Sequence, residues 1–258
     1  MTTTGEHRQR LYRTDAIVLK RRDYGEADRL LTVFTPERGK LVLLAKGVRK
    51  TLSRKAGHVE LFTHSTLLVA KGRTWDIVSQ AETVEPFLGL REDLARTGYA
   101  YYVAELLDGF TQEHDAHPPM FHLLRETLSR LATLEAAVLP LAVRFFELRL
   151  LALAGYQPQL FRCVACQQPL EPVTNYLSYA EGGVLCPRDG EGRVDAEPLP
   201  LPLFKVLRFL QTREWDEVAR LSLSPGLLSE VERVLQGFLV YYLERNLRSV
   251  GFLKAIRA

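Results

Sequence analysis

The stretch LYRTDAIVLKRRDYGEADRLLTVFTPERGKLVLLAKGV, residues 11–48, decides the fold class. It contains three short strand patterns, YRTDAIVLKR, RLLTVFT and KLVLLAKGV, with PERG at residues 36–39 as the turn between the second and third. Two more follow in LFTHSTLLVA and TWDIVSQAE, separated by the turn KGR. Val, Leu, Thr and Phe dominate these runs and suit a pleated surface, while glycine or proline punctuates them at Gly25, Pro36, Gly39, Gly47, Gly57 and Gly72. An open sheet of short strands leaves edges that invite pairing with other chains, so a closed or nearly closed barrel is expected. An OB-fold has this size and an SH3-like barrel has a similar strand count; the pattern alone leaves both open.

Past Pro86 the period of the apolar residues becomes helical, with Leu94, Tyr101, Ala104, Leu107 and Phe110 roughly on one stripe. His117-Pro118-Pro119 ends that helix, and residues 120–134 and 140–154 carry two further helical patterns closed by Gly155 and Pro158. From residue 161 to about 200 the composition turns to Cys, Pro and Gly, after which helical patterns resume at 203–210 and 227–247. The expected architecture is α+β and multidomain. A barrel occupies residues 1–82, a helical bundle 83–160, a Cys-rich insert 161–200, and C-terminal helices at 201–258 complete the helical domain. No apolar stretch approaches the roughly 20 residues of a membrane span, and the polar start MTTTGEHRQR lacks the apolar run of a secretion signal, so a cytoplasmic protein without membrane contact is expected.

The chain of 258 residues has a net charge of only +3, but residues 1–80 hold 16 Lys/Arg against 8 Asp/Glu, whereas the remainder holds 18 against 23. Distribution governs the field that a polyanion meets, so the front of the chain is the positive surface. The segment KGVRKTLSRK at 46–55 concentrates Lys46, Arg49, Lys50, Arg54 and Lys55 without an acidic residue, in a loop between two strands. Lys20, Arg21 and Arg22, and Lys71 with Arg73, lie at other strand ends and extend the track. Cations placed this way neutralise phosphates and release condensed counterions, giving salt-sensitive and largely sequence-independent DNA binding. Tyr24, Phe34, Phe62 and Trp75 are available for base stacking, and each suits a core equally well.

Cys163, Cys166 and Cys186 fall in one segment, and an odd number of cysteines makes no complete disulfide framework. Their spacing, Cys163-x2-Cys166 and then Cys186-x2-Asp189, is a four-ligand zinc pattern with aspartate in the last place. No histidine lies beyond His122, which leaves Asp189, the more distant Glu191 and Asp195, or a water as fourth ligand, with Asp189 favoured. Four protein ligands leave no open position, so the zinc would be structural, replacing the core that a short loop-rich insert cannot build; a water in the fourth place would reopen metal-assisted catalysis. His58-Val59-Glu60 with Cys163-x2-Cys166 superficially matches zinc deaminases, but Arg162 stands where that pattern has proline, and Cys186 and Asp189 offer closer ligands. There is no G-x-x-x-x-G-K-[ST] phosphate loop and no arrangement that singles out a catalytic residue, so no enzyme is expected.

Four features occur in a telling order: Tyr12-Arg13-Thr14-Asp15-Ala16-Ile17-Val18-Leu19, then Tyr24-Gly25-Glu26-Ala27-Asp28-Arg29-Leu30, then Gly39-Lys40 leading to Ala45-Lys46-Gly47-Val48-Arg49-Lys50, and finally the cysteine cluster. In this combination nearly the whole chain resembles the RecO family of bacterial recombination mediators. The resemblance implies an N-terminal OB-fold, a helical middle and C-terminal region, and a zinc-ribbon-like insert. It also implies binding of single- and double-stranded DNA, annealing of complementary strands, and action with RecR to load recombinase on DNA coated by single-stranded-DNA-binding protein. The C-terminal tail of that coating protein is a further implied partner, and the location would be cytoplasmic, at the nucleoid. The family's basic barrel loop falls on Lys46, Arg49, Lys50, Arg54 and Lys55, whereas Asp189 departs from the common fourth cysteine. An OB/zinc-ribbon module for RNA is the alternative, since both module types also serve RNA.

Overall fold

The computed structural model describes residues 10–257, so residues 1–9 of the expected barrel segment lie outside the description. β1 (Leu11–Tyr24), β2 (Asp28–Thr35), β3 (Gly39–Ala45), β4 (His64–Ala70) and β5 (Asp76–Glu85) close a barrel in the order β1-β2-β3-β5-β4. β1 pairs with β4 along its first half and with β2 along its second, and a register shift between Val18 and Lys20 marks the bend. β3 and β5 meet in parallel at Leu43↔Asp76 and Leu44↔Ile77, whereas the other neighbours are antiparallel. This is the strand order of an OB-fold, which decides between the two barrels left open by pattern.

Alternation along the strands fills two cores. Ala16, Val18, Leu31, Val33, Leu41, Leu43, Leu67, Val69 and Val78 point into the barrel. Ile17, Leu19 and Phe34 point the other way and join the helical core, so the run AIVL in β1 is buried on both faces. Phe62 joins that second core too, with its ring edge-on to Tyr101 at a centroid distance of 5.0 Å. Phe34 and Phe62 are therefore packing residues, out of reach of any base.

The helical body comprises α1 (Gly89–Glu92), α2 (Leu94–Phe110), α3 (Pro118–Thr133) and α4 (Leu139–Leu153). After it come β6 (Asn175–Ser178), β7 (Gly183–Leu185), α5 (Pro187–Gly190) and β8 (Glu197–Leu199), with the three strands in one sheet. α6 (Leu201–Thr212), α7 (Trp215–Val218), α8 (Pro225–Leu243) and α9 (Arg248–Arg257) follow. α2 buries Tyr99, Tyr102, Val103, Leu106 and Leu107 and exposes Leu94 and Tyr101, so the expected stripe is rotated. The reason is that α2 packs against α1, α3, α4, α9 and β1, and an element covered on several sides loses the single apolar face that periodicity detects. Pro118 and Pro119 open α3 instead of merely ending the previous helix: they occupy its first turn, where the missing N–H costs nothing, and His117 Nδ1 accepts from Met120 N at 3.3 Å. The helix expected over 227–247 ends as α8 at Leu243, and a separate α9 starts at Arg248. Glu244 takes a left-handed conformation (φ 52°), and the Glu105 carboxylate accepts from Arg248 N and Ser249 N, each at 2.9 Å.

Barrel and helices are joined by a lysine that acts as a helix cap. Lys40 Nζ donates to the Asp108 and Thr111 carbonyls at the C-terminal end of α2, each at 2.8 Å, and lies 3.1 Å from Asp108 Oδ1. Lys20 reaches Asp108 Oδ2 at 2.6 Å. Next to Lys40, Gly39 has φ +62°, and a Cβ there would collide with the Asp115 carbonyl. Burial alone would raise the Asp108 pKa, but the hydrogen bonds and charges of Lys20 and Lys40 hold it below its ordinary value. A carboxylate with a depressed folded pKa contributes stability above its unfolded value, near 3.9, and loses it as the pH falls through the folded value. Asp108→Asn is thus expected to cost about 2 kcal/mol at neutral pH, with a gap from the parent protein that closes below about pH 4. Urea unfolding across that range measures it.

Candidate nucleic-acid interface and metal centre

Closure of the barrel brings three loops together. Arg49 N donates to the Ala27 carbonyl at 2.9 Å and Gly47 N to Asp28 Oδ1 at 2.7 Å, which lays residues 46–50 along the β1–β2 turn. The parallel β3–β5 pair sets the start of β5 beside the end of β3. Trp75, at the end of the β4–β5 turn, meets Tyr24 edge-on at a centroid distance of 5.1 Å. Arg22, Lys46, Lys50, Lys71 and Arg73 are carried by these same segments, are exposed, and have no ion-pair partner among the described residues. Arg49 has a different task, since its guanidinium lies 3.4 Å from the Asp23 carboxylate and donates to the Glu26 carbonyl at 3.3 Å, pinning the loop.

The remaining basic residues sit elsewhere. Lys20 ties the barrel to α2 through Asp108, and Arg21 pairs with Glu60, which also takes Arg29 at 3.5 Å. Arg54 and Lys55 turn onto the wall formed by β1, β4 and β5, where they line a groove with Arg13 and His58. Lys55 Nζ donates to the Val78 carbonyl at 2.8 Å, and burial lowers its pKa against the opposing charge of Asp28. Arg13 and His58 lie outside the 46–55 charge run, and only the fold places them in one groove with Arg54.

The insert presents two facing turns. Cys163 and Cys166 sit on one, closed by Gln167 N to the Cys163 carbonyl at 2.9 Å; Cys186 directly follows β7 as the N-cap of α5, and Asp189 rides the single turn of that helix. Val164 N to the Val184 carbonyl, 3.0 Å, holds the two turns together. One ligand atom from each of Cys163, Cys166, Cys186 and Asp189 lies within 4.8 Å of the other three. The Cys163 and Cys186 thiols donate to Asp189 Oδ2 at 3.2 and 3.3 Å, and Cys166 Sγ is 3.9 Å from Cys186 Sγ. These separations match the edges of a zinc tetrahedron, about 3.5 Å for S···O and 3.8 Å for S···S at ordinary bond lengths. The donor set therefore fits zinc. Arg188 Nε donates to Asp189 Oδ1 at 3.0 Å, so the aspartate is oriented through one oxygen and offers the other.

Protonation follows the same geometry. Burial works to raise the Cys163 pKa, but N–H groups of Cys166, Cys186 and Ala165 outweigh it and lower the value, favouring thiolate. Burial and the Asp189 carboxylate, against the Asp189 N–H, push Cys186 up to about 11. Cys166 is raised chiefly by Asp189. Asp195, the more distant candidate, pairs with Arg193 at 2.6 Å. His58 is committed within the barrel, its Nδ1 accepting from Thr83 N at 3.2 Å.

An OB-type barrel fused to a helical body, with a four-donor Cys/Asp turn pair set between helices, defines the class of this chain. Residues 9–87 match the family model for the recombination protein O N terminal, and residues 91–250 match that for the recombination protein O C terminal. The chain is similar to the DNA repair protein RecO of Roseiflexus sp. (strain RS-1), 44% identical over 252 residues that span 97% of this chain and 87% of the relative. It is also 40% identical to the DNA repair protein RecO of Pelotomaculum thermopropionicum over 248 residues, 95% of this chain and 94% of the relative. The chain belongs to the RecO family of DNA repair proteins. Among the described residues no helix is long and apolar enough to cross a membrane.

Zinc added to metal-free protein at about 100 times its dissociation constant is expected to stabilise the fold by about 2.7 kcal/mol. Cys186→Ser should abolish the increment, whereas Asp189→Cys should keep or enlarge it. Thermal melting with and without chelator reads the difference.

Proposed function

We propose that this chain is a non-catalytic recombination mediator that grips nucleic-acid backbones at the mouth of its barrel. The observation that carries the reading is that Arg22, Lys46, Lys50, Lys71 and Arg73 are exposed and without ion-pair partners among the described residues, on segments that the Tyr24–Trp75 contact and the bond from Arg49 N to the Ala27 carbonyl bring side by side. Cations without acidic partners release counterions when they meet phosphates, and a partly exposed aromatic pair gives unstacked bases a face to lie on. Single-stranded DNA uses both features; duplex DNA, whose bases are already stacked, uses only the cations. Because neither feature reads base edges, bound strands keep their pairing edges free, and annealing follows from lowered repulsion without turnover. In the cell the protein acts on nucleoid DNA in the cytoplasm. There it works with RecR to load recombinase on strands coated by single-stranded-DNA-binding protein, engaging that protein's acidic C-terminal tail.

Structural zinc held by Cys163, Cys166, Cys186 and Asp189 keeps the insert folded against α8. There Tyr179 packs edge-on to Phe238 at 5.0 Å, and Arg233 pairs with Glu197 at 2.6 Å. When bound, the ion supplies only a cross-link, because the four side chains fill its coordination shell.

Lys46→Glu combined with Lys50→Glu should weaken binding of a single-stranded oligonucleotide by about tenfold or more at moderate salt. Trp75→Ala should cost about 1–3 kcal/mol for single strands and much less for duplex. Fluorescence anisotropy with matched single-stranded DNA, duplex and RNA measures all of these, and unchanged affinity in both variants would refute the assignment.

A further inference from the structure

A second cationic surface lies on the wall of the barrel, apart from the mouth. Arg13 of β1, Arg54, Lys55 and His58 from the loop after β3, and Gln80 of β5 line an open groove of about 570 Å³. Arg54 is exposed and has no ion-pair partner among the described residues. Among the described residues the one acidic residue lining the groove, Glu82, is 3.8 Å from Arg13, with both side chains more than two-thirds exposed, a pair that solvent screens. His58 is held through Nδ1, 2.8 Å from Thr83 Oγ1 and 3.2 Å from Thr83 N, and its ring lines the groove. Lys55 spends one N–H on Val78 and keeps the others. Among the described residues the groove therefore offers two guanidinium groups, an ammonium and an imidazole ring against one carboxylate, a set complementary to a phosphodiester chain.

What the groove lacks is equally specific. Among the described residues no Phe, Tyr or Trp lines it, in contrast to the Tyr24–Trp75 pair at the mouth. It is built to hold a backbone and leave the bases alone. One loop joins the two surfaces, with Lys46 and Lys50 at the mouth, Arg54 and Lys55 at the groove, and the fully projecting Leu52 between them.

We infer that the groove holds the phosphate backbone of a second nucleic-acid strand while the mouth holds the first, so that one barrel brings two complementary strands together. The inference rests on the mouth being a single-strand site, and it adds where the incoming strand goes. Each strand faces its own cations, which lowers the repulsion between them, and the strand in the groove presents unstacked bases for pairing.

The test compares two variants of the full chain, Arg13→Gln with Arg54→Glu at the groove and Lys46→Glu with Lys50→Glu at the mouth. Two readouts are taken: affinity for one short oligonucleotide, and the rate at which two complementary oligonucleotides anneal. The groove variant is expected to keep single-strand affinity within about twofold and to anneal about tenfold more slowly. Annealing at the parent rate would overturn the inference. So would a parallel loss of single-strand affinity, which would mean one continuous track. Should the double change lower the melting temperature, Arg54→Gln alone, on an exposed loop, must still slow annealing selectively or the inference fails. Unchanged single-strand affinity in the mouth variant would sink the mouth assignment separately, whatever the groove variant does.

Discussion

The molecule depends on a short parallel contact, Leu43↔Asp76 and Leu44↔Ile77, through which β3 and β5 close the barrel. Closure removes the edges that five short strands would otherwise present to other chains. It also fixes which loops become neighbours. β5 starts beside the end of β3, so the β4–β5 turn reaches the β1–β2 turn, and Trp75 finds Tyr24 although 51 residues separate them in sequence. The basic segment after β3 is then pinned along the same turn by Arg49 and Gly47. Charges that are scattered in the chain are thereby gathered by hydrogen bonds made elsewhere.

A surface of like charges needs a stiff support, since mutual repulsion would otherwise spread it. Part of the stiffness comes from β1, which is buried on both faces and so belongs to the barrel and to the helical core at once. Lys40 adds to it by capping α2 from β3 while Gly39 lets the backbone of residue 115 approach. Farther away, Arg144 pairs with Glu147 at 2.9 Å inside the body, and Tyr102 donates to the same carboxylate, linking α2 to α4. Removing one partner of such a buried group would leave the other charge stranded, at a cost of about 3–5 kcal/mol. The insert shares the helical core through Leu170, Leu177, Val184, Leu185 and Leu199 and adds four convergent metal donors.

Much of this was legible in the chain. Strand existence followed from alternation and from turn residues such as Pro36 and Gly39, and the cysteine spacing led to a cluster that assembles with Asp189 as the favoured partner. What the sequence hid was long-range. Phe34 and Tyr24 carry the same local signal, yet one is fully buried and the other 42% exposed, because only the packing of the helical body distinguishes the faces of the barrel. The run at 46–55 looked like a single charged loop, but the Lys55–Val78 bond turns its second half onto another wall. Lys20 and Arg21 looked like free cations, and their acidic partners, Asp108 and Glu60, lie 88 and 39 residues away. The α2 stripe failed for a related reason, since a helix covered on several sides has no single face to detect.

The account stands on cations at the barrel mouth that have no ion-pair partner among the described residues, and counterion release measures that directly. With Arg22, Lys46, Lys50, Lys71 and Arg73 each meeting one phosphate, the logarithm of the affinity for a short single strand should fall against the logarithm of salt concentration with a slope of about −3.5. A slope near zero, in a protein that is folded and binds, would contradict it.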